Sequence, residues 1–199
     1  FRGVVLVVCP KTDSYPQEMS QLESFVEKIR SEQNLGIEVP GFDPKNGNEK
    51  ARFLLILEAP GAKAVKTGVI SFDNPDFTAT NLKRQLEVAG IDRSEIAIWN
   101  VVPWYLGNDE KTKIRPAKTR DISQCLGYLA ELVSLLDRLE CVVLVGAAAR
   151  KAHVHLSYTT KVRILSCHHP SPRVMNHSSD AARDNIAVFK AMKASGMSG

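Results

Sequence analysis

The chain has 199 residues, 44% of them hydrophobic and 24% charged, with a formal net charge of +4. That is the balance of an ordinary globular protein with a full-sized core, and no apolar run is long enough to span a bilayer. The positive charge leans toward a polyanionic partner, while Cys9, Cys125, Cys141 and Cys167 are far apart and form no C-x-x-C pair, which argues against a zinc ribbon and for buried, reduced thiols in a cytoplasmic protein.

Phe1 to Cys9 reads as strand-like, and its apolar part is short, with no clear cleavage site after it, so no secretory signal is expected. Met19 to Gln33 places Leu22, Phe25, Val26 and Ile29 at helical spacing, and Asn34-Leu35-Gly36 supplies a stop. Val39 to Lys50 reads as an irregular loop. The first core strand, Arg52 to Ile56, has no polar alternation, as expected of a strand buried on both faces, and it breaks abruptly at Leu57-Glu58-Ala59-Pro60-Gly61. Ala62 to Thr80 reads as a long irregular segment, and a helix is predicted from about Thr78 to Ala89, closed by Gly90.

Glu95 to Trp99 is the second strand, running into Asn100-Val101-Val102-Pro103-Trp104. Leu106 to Lys118 is a second long loop, holding Lys111, Lys113, Arg115 and Lys118. A helix from about Arg120 to Arg138 points Ile122, Cys125, Leu126, Leu129, Val133 and Leu136 inward. Cys141 to Val145 is the third strand, and Gly146-Ala147 opens a helix start suited to an anion. Val162 to Leu165 is the fourth strand, followed by His168-His169-Pro170-Ser171-Pro172-Arg173. A helix from Asp180 to Lys193 closes the chain, with Ala182, Ile186, Phe189 and Met192 inward. Strands alternating with helices predict one α/β domain over residues 1–199, a four-stranded parallel sheet with helices on both faces. Ligands of such sheets bind at the carboxyl ends of the strands, where the polar clusters fall.

Three of these clusters carry a resemblance. Glu58-Ala59-Pro60-Gly61 after the first strand, Asn100-Val101-Val102-Pro103 after the second and His169-Pro170-Ser171-Pro172 after the last are similar, in order and placement, to the motifs of the uracil-DNA glycosylase superfamily. The resemblance spans roughly Pro40 to Lys193 and leaves residues 1–39 as an N-terminal extension with one helix. It implies a monomeric enzyme that flips uracil out of DNA and hydrolyses its N-glycosidic bond, with uracil-containing DNA as partner, no membrane and no cofactor. Leu57 departs from the family's usual first glycine. Ala59 stands where some branches carry a water-activating aspartate or asparagine. The Glu-Ala-Pro-Gly form is that of the iron-sulfur branch, whose ligand set is incomplete here, so no cluster or other metal is expected.

By this resemblance His169 donates to the oxyanion that develops on the uracil ring, and Asn100 pairs with uracil O4 and N3. Glu58 acts on the water or the sugar cation, or holds the turn; Asp73 is the next carboxylate candidate. Ala59, Pro60 and Gly61 border the base. Phe72 stacks on it or anchors its loop. Ser171, Gly146 and Ala147 contact phosphates, and Arg173 fills the duplex gap or grips phosphate. The alternatives are a glycosylase for hypoxanthine or xanthine and a non-catalytic DNA binder, which Ala59 keeps open. Trp99, alternating with Asn100, is expected in the core.

Overall fold

The computed structural model describes residues 19–195, so the strand expected over Phe1 to Cys9 lies outside the described residues. Helix α1 (Gln21–Gln33) starts at a capping box, in which the Ser20 hydroxyl accepts from the Glu23 N–H and the Glu23 carboxylate accepts from the Ser20 N–H; it ends at Asn34 in the left-handed conformation. Its apolar face, Leu22, Phe25, Val26 and Ile29, is part of the main core cluster rather than a separate layer. The two-residue strand β1 (Gly41–Phe42) follows, and β2 (Phe53–Leu57) is the first strand of the main sheet.

The stretch after β2 is more regular than its composition suggests. Ala62 to Thr80 holds a short helix, α2 (Ala62–Thr67), and a two-residue strand, β3 (Val69–Ile70), that pairs in parallel with β1. Gly68, at φ 77°, ends α2 in a conformation that other residues rarely adopt. Helix α3 (Phe77–Ala89) then begins at Asp76, whose side chain accepts from the Ala79 N–H. Strand β4 (Ile96–Asn100), helix α4 (Thr119–Ser134) and strand β5 (Cys141–Val145) follow. The buried stripe of α4 is Ile122, Cys125, Leu129 and Leu132, with Leu126 and Val133 only partly covered. Two short helices, α5 (Gly146–Arg150) and α6 (His153–Thr159), lead to β6 (Arg163–Cys167). The His-Pro-Ser-Pro segment turns straight into a short helix, α7 (Pro172–His177), and α8 (Ala181–Ser195) closes the described chain.

The four long strands form one parallel sheet in the order β4-β2-β5-β6, and helices pack on it: α1 reaches α4, and α3 lies against α8. Connections leave β2 for β4 on one side and return to β5 on the other, so β2 stands at the topological switch point. The register sets Leu57 beside Asn100 and Val145 beside Cys167, which brings the polar segments after β2, β4 and β6 to one edge. Trp99 faces away from Asn100 and is buried, stacked on Phe42 at 4.4 Å and tilted against Phe25 at 5.6 Å. On α8 the buried face is Ala181, Asn185, Phe189 and Met192, with Ala182 and Ile186 only partly covered. The pattern of apolar residues finds Phe189 and Met192 but rotates the first half of the face onto Ala182 and Ile186, because it counts Asn185 as a surface residue.

Candidate active site

A cavity of about 520 Å³ opens at the carboxyl edge of the sheet. That is within the size range of small-molecule pockets. Its wall includes Glu58, Ala59, Pro60 and Gly61 from the turn after β2, Phe72 from the loop after β3, Asn100 from the end of β4, and His169. Residues remote in sequence therefore share one hollow, and the backbone fastens them. The Val101 N–H donates to the Leu57 carbonyl at 2.8 Å and the Val102 N–H to the Glu58 carbonyl at 3.0 Å, tying the second segment to the first.

Asn100 is only 3% exposed, and its Nδ2 is buried without a hydrogen-bond partner. A buried, unpaired amide costs on the order of 1–3 kcal/mol, which a ligand acceptor would relieve. His169 has the complementary character. The Ser171 backbone N–H donates to His169 Nδ1 at 3.2 Å. In the neutral ring the proton therefore sits on Nε2. Burial pushes the His169 pKa below its ordinary value of 6.5, against the pull of the Glu58 and Asp76 carboxylates. The ring is thus held neutral near pH 7, with Nε2–H as a donor.

Two features hold His169 in this pose. Gly146 is buried at φ 90°, and a Cβ there would come within 2.9 Å of His169 Cβ. Gly146, expected at a phosphate contact, is buried and lies against the histidine, leaving room for it. Ala147, one residue on, is exposed. On the other side Asn185 clasps the backbone just before His169, accepting from the His168 N–H at 2.8 Å and donating to the His168 carbonyl at 3.0 Å. Gln85 Oε1 accepts from the same Asn185 amide at 2.9 Å. Neither Asn185 nor Gln85 stands out in the sequence, because each reads as an ordinary polar residue of a helix.

Glu58 lines the cavity, and its Oε1 accepts from the Ala117 N–H at 2.6 Å, pinning the loop before α4 to the first turn. Gly61 caps α2 with an unremarkable φ of −80°, and nothing lies within 4 Å of where its Cβ would be. Neither the backbone angle nor a neighbouring atom therefore requires a glycine there. Phe72 lines the cavity, but Asp73 does not. Asp73 is bound by Arg93 at 2.6 Å and Lys83 at 2.8 Å, which hold its carboxyl down to about 2. This corrects its candidacy as a pocket carboxylate: its charge is already matched by cations outside the cavity wall. The same Arg93 bonds Asp43, which is 4% exposed, and lies 4.4 Å from the centroid of the Phe72 ring. Phe72 is thus anchored from behind and borders the cavity.

Sequence reading missed several wall residues, among them Asp76, Lys63, Ile114 and Pro116. Asp76 is recognisable only as a helix cap, and the others only as loop residues. Arg115, one of the basic residues of the loop before α4, reaches the cavity wall while paired with Asp121 at 2.6 Å. Lys111 approaches Glu38 at 3.9 Å. Ser171 is half-buried at the start of α7, and Arg173 is exposed on that helix. Cys125, Cys141 and Cys167 are buried, with the Cys125 and Cys167 thiols pushed up to about 12 and Cys141 to about 11, chiefly by burial. Among the described residues no group of three or more His, Cys, Asp or Glu is placed to hold a metal, and no helix is long and apolar enough to cross a membrane.

Comparison with known proteins follows the same lines. No curated protein sequence matches the chain. Among solved structures, a solution NMR structure from Methanosarcina acetivorans, provisionally named a uracil DNA glycosylase, superposes with a TM-score of 0.51 at 15% identity. The match covers 78% of this chain and 98% of that one, and at this identity the likeness is one of fold. The model of the uracil DNA glycosylase superfamily matches residues 44–193, which takes in every strand of the main sheet and every wall residue of the cavity. The chain belongs to the uracil DNA glycosylase superfamily.

Proposed function

We propose that the protein removes uracil from DNA by hydrolysing the N-glycosidic bond, leaving an abasic site. Family membership supports a glycosylase acting on DNA. The observation that supports a uracil-type edge over a cytosine-type edge is the buried, unpaired Asn100 amide sharing one cavity with a neutral His169. An asparagine amide matches uracil, offering a donor to O4 and an acceptor to N3–H, whereas cytosine presents the opposite polarity at both positions.

The target nucleotide is first extruded from the stack, at a cost of about a few kcal/mol in duplex DNA. As the C1′–N1 bond breaks, its electron pair moves onto the uracil ring and leaves positive charge on the sugar. His169 Nε2–H donates to the developing charge at O2. A fixed donor of this kind is worth about 3 kcal/mol in other enzymes. A neutral imidazole suits the task because it gives a hydrogen bond without giving up its proton. Water adds to C1′ and releases a proton to solvent, and uracil departs as its anion, which takes up a proton from solvent. Glu58 and Asp76 are the two carboxylates of the cavity wall, where negative charge favours the sugar cation. Glu58 also keeps the loop before α4 in place.

The test is direct. Single- and double-stranded DNA bearing one uracil is incubated with the protein and cleaved with hot alkali. Catalytic strand scission at the uracil is expected, with loss of activity in Asn100→Asp, whose acceptor-only edge cannot serve O4. Absence of scission at stoichiometric protein overturns the assignment. A panel with hypoxanthine and xanthine reads base choice.

A further inference from the structure

The exposed apolar side chains around the cavity mouth have no part in the chemistry above. Phe77 is 75% exposed although it sits between two wall residues, Asp76 and Thr78, on the first turn of α3. Ile114, in the loop before α4, is itself a wall residue and is 54% exposed. An aromatic ring left in water at such a place gains by stacking on another flat apolar surface.

Its neighbours indicate which surface. Phe77 and Asn81 are one helical turn apart and share a face of α3. Asn81 Nδ2 donates to the Pro170 carbonyl at 2.9 Å, so this face of α3 borders the segment that carries His169 and, four residues on, Arg173. Arg173 is exposed, Lys63 is an exposed wall residue, and neither forms an ion pair among the described residues. Arg115 stands on the Ile114 side. The cavity region thus carries an exposed aromatic ring next to wall residues, two cations without an ion pair among the described residues, Lys63 and Arg173, and a third, Arg115, paired with Asp121. An exposed ring together with cations is the combination that binds nucleic acid: bases stack on the ring while phosphates meet the charges.

We propose that Phe77 is a DNA-contacting residue whose ring stacks on the base next to the extruded nucleotide, with Ile114 as a second exposed apolar residue of the cavity wall. The proposal rests on the glycosylase reading for which nucleotide is extruded. The stacking itself requires only that DNA engage this face. In duplex DNA the ring takes the place of the lost stacking partner, so the gap left by extrusion is filled from the α3 side.

The experiment uses the full chain and a duplex in which 2-aminopurine adjoins a 2′-fluoro-2′-deoxyuridine, a nucleotide resistant to glycosidic cleavage. Wild-type protein is expected to change the 2-aminopurine emission on binding. Phe77→Ala is expected to lose that change and to weaken duplex binding about 5- to 100-fold, the range of one base–aromatic stack. Phe77→Tyr should restore both, and thermal melting of all three proteins should agree, because the ring is in water. Wild-type-like binding and emission in Phe77→Ala overturns the proposal. If the wild type cleaves no uracil DNA while Phe77→Ala still loses binding and emission change, the function fails and the stacking role stands.

Discussion

The two ends of the main sheet handle polar groups in opposite ways. At the amino end, three residues that each immediately precede a strand form a closed cluster. Arg52, before β2, bonds Glu140, before β5, at 2.7 Å through Nε and Glu95, just before β4, at 2.5 Å through NH1. The guanidinium is matched on both sides, and its pKa is raised by Glu140 first and Glu95 second. At the carboxyl end of the same strands, Asn100 has an amide nitrogen without a partner and His169 has only its Nδ1 engaged. One end uses its polar groups on itself, and the other keeps them for something else. A saturated cluster adds stability but offers nothing to a ligand; an unsaturated one costs stability and has binding capacity in hand.

The strongest way to sharpen this contrast is to remove His169. His169→Ala is expected to lower kcat on uracil DNA about 100- to 1000-fold, as loss of an oxyanion donor does elsewhere, with little change in melting temperature. Single-turnover kinetics alongside calorimetry measures both. The neutral-imidazole role also fixes a pH profile. Because burial lowers the His169 pKa, the acid limb of kcat/KM should fall below the ordinary histidine value of 6.5 and vanish in His169→Ala. The stability sign follows from the same shift. The folded state binds this proton less readily than the unfolded chain, so the contribution is complete above about 6.5 and is lost as pH falls toward the lower folded value.

A smaller but more diagnostic change is Gly146→Ala. The backbone there is at φ 90°, and the added methyl would meet His169 at 2.9 Å. Both effects are unfavourable, so stability should fall by more than the usual ~1 kcal/mol scale of glycine substitutions. Activity should fall further than stability accounts for, on the order of tenfold or more, because the histidine is pushed from its pose. Activity per folded molecule equal to wild type would show that the glycine serves the backbone alone.

The same contrast explains what the sequence revealed. Strands β2, β4 and β5 were legible because each is an unbroken apolar run, and the turn residues after them mark the carboxyl edge. Helix α2 was not, because Ala62-Lys63-Ala64-Val65-Lys66-Thr67 is too short to show a period and follows Pro-Gly. Glu58, Asn100 and His169 were legible as a set through motif order. The failures came where tertiary partners decide. Asp73 reads like any loop carboxylate until Lys83 on α3 and Arg93 beyond it claim it. Asn185 looks like a surface residue until it is seen holding the His168 backbone. Local chemistry names the residue types available, but only the fold says which are already occupied.

At the saturated end the expected outcome is the reverse of that for His169. Arg52→Ala should leave Glu95 and Glu140 facing one another without their shared cation, lowering stability by about 1–3 kcal/mol while kcat stays within about twofold. Denaturant melts together with initial rates separate the two. A large fall in kcat at full folding would mean that the sheet transmits strain from one end to the other.

Glu58 lies between these behaviours, and the smallest predicted effect is the one that places it. Its Oε1 accepts from the Ala117 N–H, a task that an amide oxygen does nearly as well. If anchoring is its main duty, Glu58→Gln keeps the bond, melts within about 1 kcal/mol of wild type and retains kcat to within about threefold. Glu58→Ala loses the anchor, frees the loop that carries Arg115 and Pro116 into the cavity wall, and shows its deficit mainly in KM. A Glu58→Gln protein that melts normally but loses kcat a hundredfold would move the residue to the open side of the comparison. Its charge, not its hydrogen bond, would then be what the sugar cation needs.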